Sequence, residues 1–296
     1  MKLNKSDPFR KEKIMGLIFV TPLLVGFLVF SVYPLVSSIY LSFTDYNIYT
    51  KPNFIGFRNY INLLNDARFW KIMKNTVLYV AGNVPLQVVL SLLLANLLNK
   101  KLRGITIFRT AFYIPVITSW VAAGVTLRWI LASEVGLLNT LLWSIFHIKG
   151  PAWLMDPRWA MISVIMANVW KGVGFNTMLY LAGLQDIPEE INDAALVDGT
   201  TKIQRFFYIT VPLLRPTTFF VSAMAIINSF QVFDNVYVMT GGGPMDATRV
   251  IVYHLYQVGF LFLRMGEASA IAWVLFVIIF SISYFRWRQS GGGYYA

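Results

Sequence analysis

The chain has 296 residues, 57% of them hydrophobic and 13% charged, with a net charge of +11 and a mean hydropathy of +0.60. Soluble proteins average about 25% charged residues; this composition excludes a disordered chain and leaves too little charge to cover a soluble surface, so a membrane protein is expected. The absence of cysteine removes disulfides, thiolate metal sites and cysteine nucleophiles, and two histidines, His147 and His254, are too few for a histidine metal site.

About 20 apolar residues cross a bilayer as a helix. In chain order, charge-free runs cover residues 14–43, 75–99, 110–127, 216–233 and 268–285, and the run 159–185 is interrupted only by Lys171. These predict six spans and an all-α membrane protein. A cleaved signal peptide is the alternative for 14–43, but its apolar stretch is too long and lacks a small-residue cleavage pattern, so an uncleaved helix is preferred. Two shorter runs, 135–148 and 250–263, are read as interfacial or loop helices.

Basic residues crowd alternate connections: Lys2, Lys5, Arg10, Lys11 and Lys13 precede the first span, and Lys100, Lys101, Arg103 and Arg109 join the second to the third. Lys202, Arg205 and Arg215 join the fourth to the fifth, and Arg286 and Arg288 follow the sixth. The positive-inside bias then puts both termini in the cytoplasm, and charge so placed suits a lipid bilayer better than nucleic acid. The expected organisation is an N-terminal segment, first span and outer loop in 1–70, five further spans in 71–288, and a flexible tail in 289–296.

The most informative connection is 185–215. Asp186 can cap a helix, Pro188 suits its first turn, and Glu189 and Glu190 suit the positive end of its dipole. Ile191, Ala194, Ala195 and Asp198 follow at helical spacing, and Gly199 can take a left-handed stop. Thr201 and Gln204 have the spacing of a capping box for a second short helix. On spacing alone a solvated connector with acidic surface helices stays open beside a functional loop.

Polar residues inside spans are costly and often functional. Asn228, Gln231, Asp234 and Asn235 fall on one helical face of the fifth span with Ser229 beside them, and Asn168, Lys171, Gly172, Phe175 and Asn176 share a face of the fourth. The candidate solute path is Asn168, Lys171, Gly172, Phe175, Asn228, Ser229, Gln231 and Asp234. Gly172 would leave room for a bulky solute. Two roles stay open for Lys171: pairing with a polar neighbour, or contact with an anionic solute. No Ser-His-Asp set, paired carboxylates or Gly-x-x-x-x-Gly-Lys-Ser/Thr phosphate loop is found, so no catalytic or metal residue is assigned. A self-contained secondary transporter or channel is the alternative, but the expected deep coupling carboxylates reduce to Asp234 and no internal repeat is seen.

The run Asp193-Ala194-Ala195, three residues, Gly199, nine residues, Ile209, one residue, Val211-Pro212 resembles the signature loop of permease subunits of binding-protein-dependent ABC importers. It departs from the family pattern at Asp193, in place of Glu, and at Val211, in place of Leu. Thr240-Gly241-Gly242-Gly243-Pro244 with Thr248, Tyr256, Phe260, Gly266, Ser269 and Ala270 resembles the sugar-type, maltose-permease-like members, as does Asn53 to Tyr60. The resemblance covers nearly the whole chain. It implies the type I importer permease fold in a bacterial cytoplasmic membrane, and carbohydrate import. It also implies coupling to an ATPase through Asp193, Ala194, Ala195, Asp198 and Gly199. The implied partners are a second, non-identical permease, a cytoplasmic ATPase dimer that holds ATP and Mg, and an extracytoplasmic solute-binding protein. No cofactor is implied for this chain itself.

Overall fold

The computed structural model describes residues 8–100 and 103–289. Lys2, Lys5 and Lys101, and the tail from 290 onward, lie outside the described residues. Among these residues the architecture is helical, with one isolated antiparallel bridge between Thr44 and Phe54. The chain divides into two compact units.

The smaller unit holds the residues up to Asn65 together with Gln257–Trp273. Helix α1 (Pro8–Phe27), a π-helical turn (Leu28–Val32) and α2 (Tyr33–Ser42) form one continuous apolar rod, 29 residues of it from Ile14 to Ser42. Phe19 and Phe30 are more than four-fifths exposed, a pattern that lipid tolerates and water does not. The rod ends where Asn59, on α3 (Arg58–Asn65), donates its side-chain amide to the carbonyls of Ser42 (2.9 Å) and Thr44 (2.8 Å). The Tyr60 hydroxyl donates to Ser42 Oγ at 2.8 Å. Gly266 closes on the same corner. Its amide donates to Tyr46 O, and a Cβ there would stand 2.1 Å from Thr44 O. Asn59, Tyr60 and Gly266, all within the family-like stretches, therefore gather at one corner and hold the chain where the first span ends, with its released carbonyls bonded.

The larger unit covers Asp66–Tyr256 and the chain from Val274. It opens with α4 (Ala67–Leu98), capped by Asp66, whose side chain accepts from Arg68 N at 2.8 Å. Its 32 residues rise about 48 Å, more than a hydrocarbon core needs. Next come α5 (Ile105–Ile117), α6 (Trp120–Ile130), α7 (Leu137–Phe146) and the 29-residue α8 (Pro157–Gln185). A string of short helices follows: α9 (Glu189–Val197), α10 (Lys202–Arg205), a π turn (Phe206–Thr210) and α11 (Val211–Leu213). Then come α12 (Arg215–Phe230), α13 (Asp234–Met239), α14 (Ile251–Tyr256), a π turn (Gln257–Leu261) and α15 (Met265–Gln289).

Among the described residues three stretches are long and apolar enough to cross a membrane: Ile14–Ser42, Ala67–Leu98 and Met265–Arg288. Two more candidates are bent pairs, α5 with α6 at 98° and Lys202–Leu213 with α12 at 69°. Helix α8 matches the expected span 159–185 in position and length, but its amides and Lys171 lower its hydropathy. The run 110–127, expected as one span, is broken at Thr118 and Ser119, where α5 stops and Ser119 caps α6 by accepting from Val121 N.

Helix α4 packs along α8, with α12 beside it. The buried face of α4 carries Asn75, Thr76, Tyr79, Asn83, Gln87 and Ser91, while Val77, Leu78, Val89, Leu93 and Leu97 are exposed. This inversion of the usual soluble pattern is what a bilayer requires: apolar side chains outward, polar groups inward and bonded to each other. Apolar clusters flank the polar stripe, one around Tyr79, Val164, Val236 and Val250, the other around Ala95, Tyr180, Leu214 and Val221.

Candidate solute path and coupling loop

Asn83 lies where α4, α8 and α12 meet. Its Nδ2 donates to Ser229 Oγ (2.8 Å), and its Oδ1 accepts from Asn168 Nδ2 (3.0 Å) and Gln87 Nε2 (3.3 Å). Gln87 Oε1 accepts from Asn176 Nδ2 at 2.6 Å, and Ser229 Oγ donates on to Ala225 O. Five side chains from three helices are therefore joined in one hydrogen-bonded cluster. Asn168, Asn176 and Ser229 belong to the polar faces expected from the sequence, whereas Asn83 and Gln87 were missed. Their signal was present: two amides four apart in a charge-free run share a helical face. Gly172 lies against Gln87. A Cβ there would stand 2.7 Å from Gln87 Nε2, so the missing side chain admits the Gln87 amide.

Lys171 is buried, and its Nζ donates to the carbonyls of Pro115 (3.0 Å), Val116 (3.1 Å) and Thr118 (2.7 Å). Three residues further along, Gly174 allows α5 to lie directly on α8, since a Cβ would meet Phe112 O at 2.1 Å.

Asn228, Gln231 and Asp234 are exposed, and none makes a side-chain hydrogen bond among the described residues; Phe175 is 45% exposed. They do not lie on one continuous helix as the spacing predicts. Helix α12 stops at Phe230, Gln231 closes it, and α13 begins only at Asp234. Asn235 turns inward, its Nδ2 donating to Tyr79 OH at 3.0 Å. The structure thus joins Asn168 to Ser229 through Asn83, places Lys171 and Gly172 in packing contacts, and leaves Phe175, Asn228, Gln231 and Asp234 at the surface of the chain.

In the connection after α8, Asp186 closes α8 instead of capping α9. Its amide donates to Ala182 O, and Pro188 precedes the first turn of α9 without a side-chain cap. Glu189 and Glu190 do occupy that first turn. Asp193, Ala194 and Asp198 are exposed and Ala195 is buried. Gly199 has φ +73°, the left-handed corner that a side chain resists, and Thr200 N returns to Ala195 O. The capping box of Thr201 and Gln204 is complete in both directions, at 3.3 and 2.8 Å. Ile191, Leu196 and Val197 present apolar surface, Val197 at 88% exposure. A cavity of about 530 Å³, lined by Gly183, Asp186, Ile191, Pro216 and Phe220 among others, opens between the end of α8, α9 and the start of α12.

Residues 76–289 match the family model described as the binding-protein-dependent transport system inner membrane component. The chain is 37% identical over 292 residues to the probable ABC transporter permease protein YesP of Bacillus subtilis, covering 97% of this chain and 94% of that protein. It is 33% identical over 289 residues to the lactose transport system permease protein LacF of Rhizobium radiobacter, covering 96% of each. A solved bacterial alginate ABC transporter, in complex with an alginate pentasaccharide-bound periplasmic protein, contains a chain of the same fold, with a TM-score of 0.85 at 24% identity over 95% of both chains. The chain therefore belongs to the inner membrane components of binding-protein-dependent transport systems, and is a permease subunit of an ABC importer.

Proposed function

We propose that this permease forms half of a carbohydrate path, with Asn228, Gln231 and Asp234 on one wall and Asn168 and Phe175 on the other. The observation that carries the reading is the contrast within α12 and the break after it. Ser229 is paired inside the bundle, whereas Asn228, Gln231 and Asp234 are exposed with no bond among the described residues. Amides and a carboxylate of that kind suit sugar hydroxyls, and an exposed ring such as Phe175 suits a sugar face. The lactose system of a relative one-third identical supports the solute class.

Membership of the family supports the same reading for the rest of the assembly. Six spans (α1–α2, α4, α5–α6, α8, α12 and α15) place both termini in the cytoplasm of a bacterial cell, with 71–288 as the transmembrane domain proper. A second permease completes the path and a solute-binding protein delivers to its outer end. A cytoplasmic ATPase dimer, holding ATP and Mg, takes α9 by its exposed apolar residues and Asp193, and turns at the Gly199 corner. The test is uptake in proteoliposomes carrying the assembled transporter. Asn228→Leu with Gln231→Leu should abolish carbohydrate uptake while assembly and basal ATP hydrolysis persist. Unchanged uptake would remove the stripe from the path.

A further inference from the structure

The pair α5–α6 turns through 98°. Such a corner strands carbonyls at the end of one helix and amides at the start of the next. Ser119 takes the amide side by accepting from Val121 N at 3.2 Å. The carbonyl side is taken by another helix. Lys171 Nζ reaches three carbonyls, those of Pro115, Val116 and Thr118, at 2.7–3.1 Å, and stands 5.5 Å from the ring centre of Trp120, the first residue of α6. An ammonium has three N–H donors; here three carbonyls take them. The negative end of the α5 dipole adds to the attraction.

The elements on either side of the corner are held just as closely. On the near side Gly174 seats α5 on α8. On the far side α6 rests on α13, where a Cβ on Gly124 would stand 2.8 Å from Val238 Cγ1. Helix α13 begins at Asp234. A continuous set of contacts therefore runs from Lys171 through the end of α5 and along α6 to the element that carries Asp234.

We infer that Lys171 is a positioning residue: its ammonium caps the broken end of α5 and fixes the α5–α6 corner, which sets where α13 stands, and it does not contact an anionic solute. The effect on a solute at Asp234 rests on the path reading above; the corner itself does not.

The test uses the full chain in lipid nanodiscs. The absence of native cysteine allows Trp129→Cys on α6 and Met166→Cys on α8, both more than half exposed, to be spin-labelled without background. With Lys171 present, one distance population is expected. Lys171→Arg, which keeps a charged set of donors, should retain it. Lys171→Met should lose it, giving a shifted or split distribution, because all three ammonium bonds then go unmade and Pro115 O keeps only the Thr118 hydroxyl. If the methionine variant does not yield protein, Lys171→Gln, too short to serve all three carbonyls, makes the same comparison. An unchanged distribution in the neutral variant would overturn the inference and return Lys171 to the solute path. Uptake defects in Asn228 and Gln231 variants report on the path alone and leave this distribution unaltered.

Discussion

Asn83 makes three side-chain bonds to three partners, and each partner is itself buried or half-buried. Interhelical bonds in membranes average about 0.6 kcal/mol, reaching about 1–2 kcal/mol in model peptides. Asn83→Leu removes three at once, strands the Asn168 donor and leaves Gln87 Nε2 only its 3.5 Å bond to Asn168 O, so a loss of roughly 1–3 kcal/mol is expected. Thermal unfolding in detergent checks this, with the exposed Val77→Ala as the reference. Equal midpoints for the two variants would mean that the amide cluster carries no stability. His254, on α14 outside the expected spans, is a second residue-scale test. Burial first, then the charges of Arg249 and Arg68, hold its pKa down at about 4 against the usual 6.5, opposed by Asp66 and Asp246. The folded value lies below the unfolded one. Its neutral form therefore contributes full stability above about pH 6.5, and this is lost as the pH falls toward 4. The unfolding midpoint of the native chain should drop between about pH 7 and about pH 5 more than that of His254→Phe. Parallel profiles would contradict the burial argument. Residues of this kind were unevenly legible: Lys171 announced itself by its charge, while Asn83 and Gln87 sat unnoticed in a run judged only for being charge-free.

At the scale of elements, the caps decided what could be read in advance. The Thr201–Gln204 box and the Gly199 corner are local devices, written in three or four adjacent residues, and both form as the spacing predicts. Asp186 offered the same local signal yet closes α8, because a long helix ending there claims its amide first. The corner between α5 and α6 had almost no local mark. Its carbonyls are satisfied by Lys171, more than 50 positions away, and such a partner is invisible to a reading along the chain. The break after Phe230 likewise defeated an assumption of unbroken periodicity. Gly199 is the element-scale test. A branched side chain resists φ +73°, so Gly199→Val should displace α9 from its turn. Gly199→Val, and Asp193→Lys by charge reversal, should reduce coupling of ATP hydrolysis to uptake severalfold while membrane insertion persists. Normal coupled uptake in both variants would make this segment a passive connector.

For the whole molecule, class and orientation rest on simple quantities. Long charge-free runs announced spans, and the helices Ile14–Ser42, Ala67–Leu98 and Met265–Arg288 occupy three of them. Interior packing was less legible, because in lipid the polar side of a helix faces its neighbours and hydropathy does not say which neighbour. The positive-inside arrangement can be checked directly: a cysteine at Ser290 should be shielded from an impermeant thiol reagent in intact cells, and one at Asp246 should be labelled. Labelling at Ser290 from outside would invert the topology. The central claim is that this chain conducts and does not drive, its motion being supplied by a separate ATPase. The most direct measurement compares uptake of a panel of radiolabelled mono- and oligosaccharides in two sets of proteoliposomes. One holds this chain alone; the other holds it with the ATPase, second permease and binding protein of its own transporter. The account expects no uptake in the first under any ion gradient, and ATP-dependent carbohydrate uptake in the second. Gradient-driven uptake by the chain alone would contradict it.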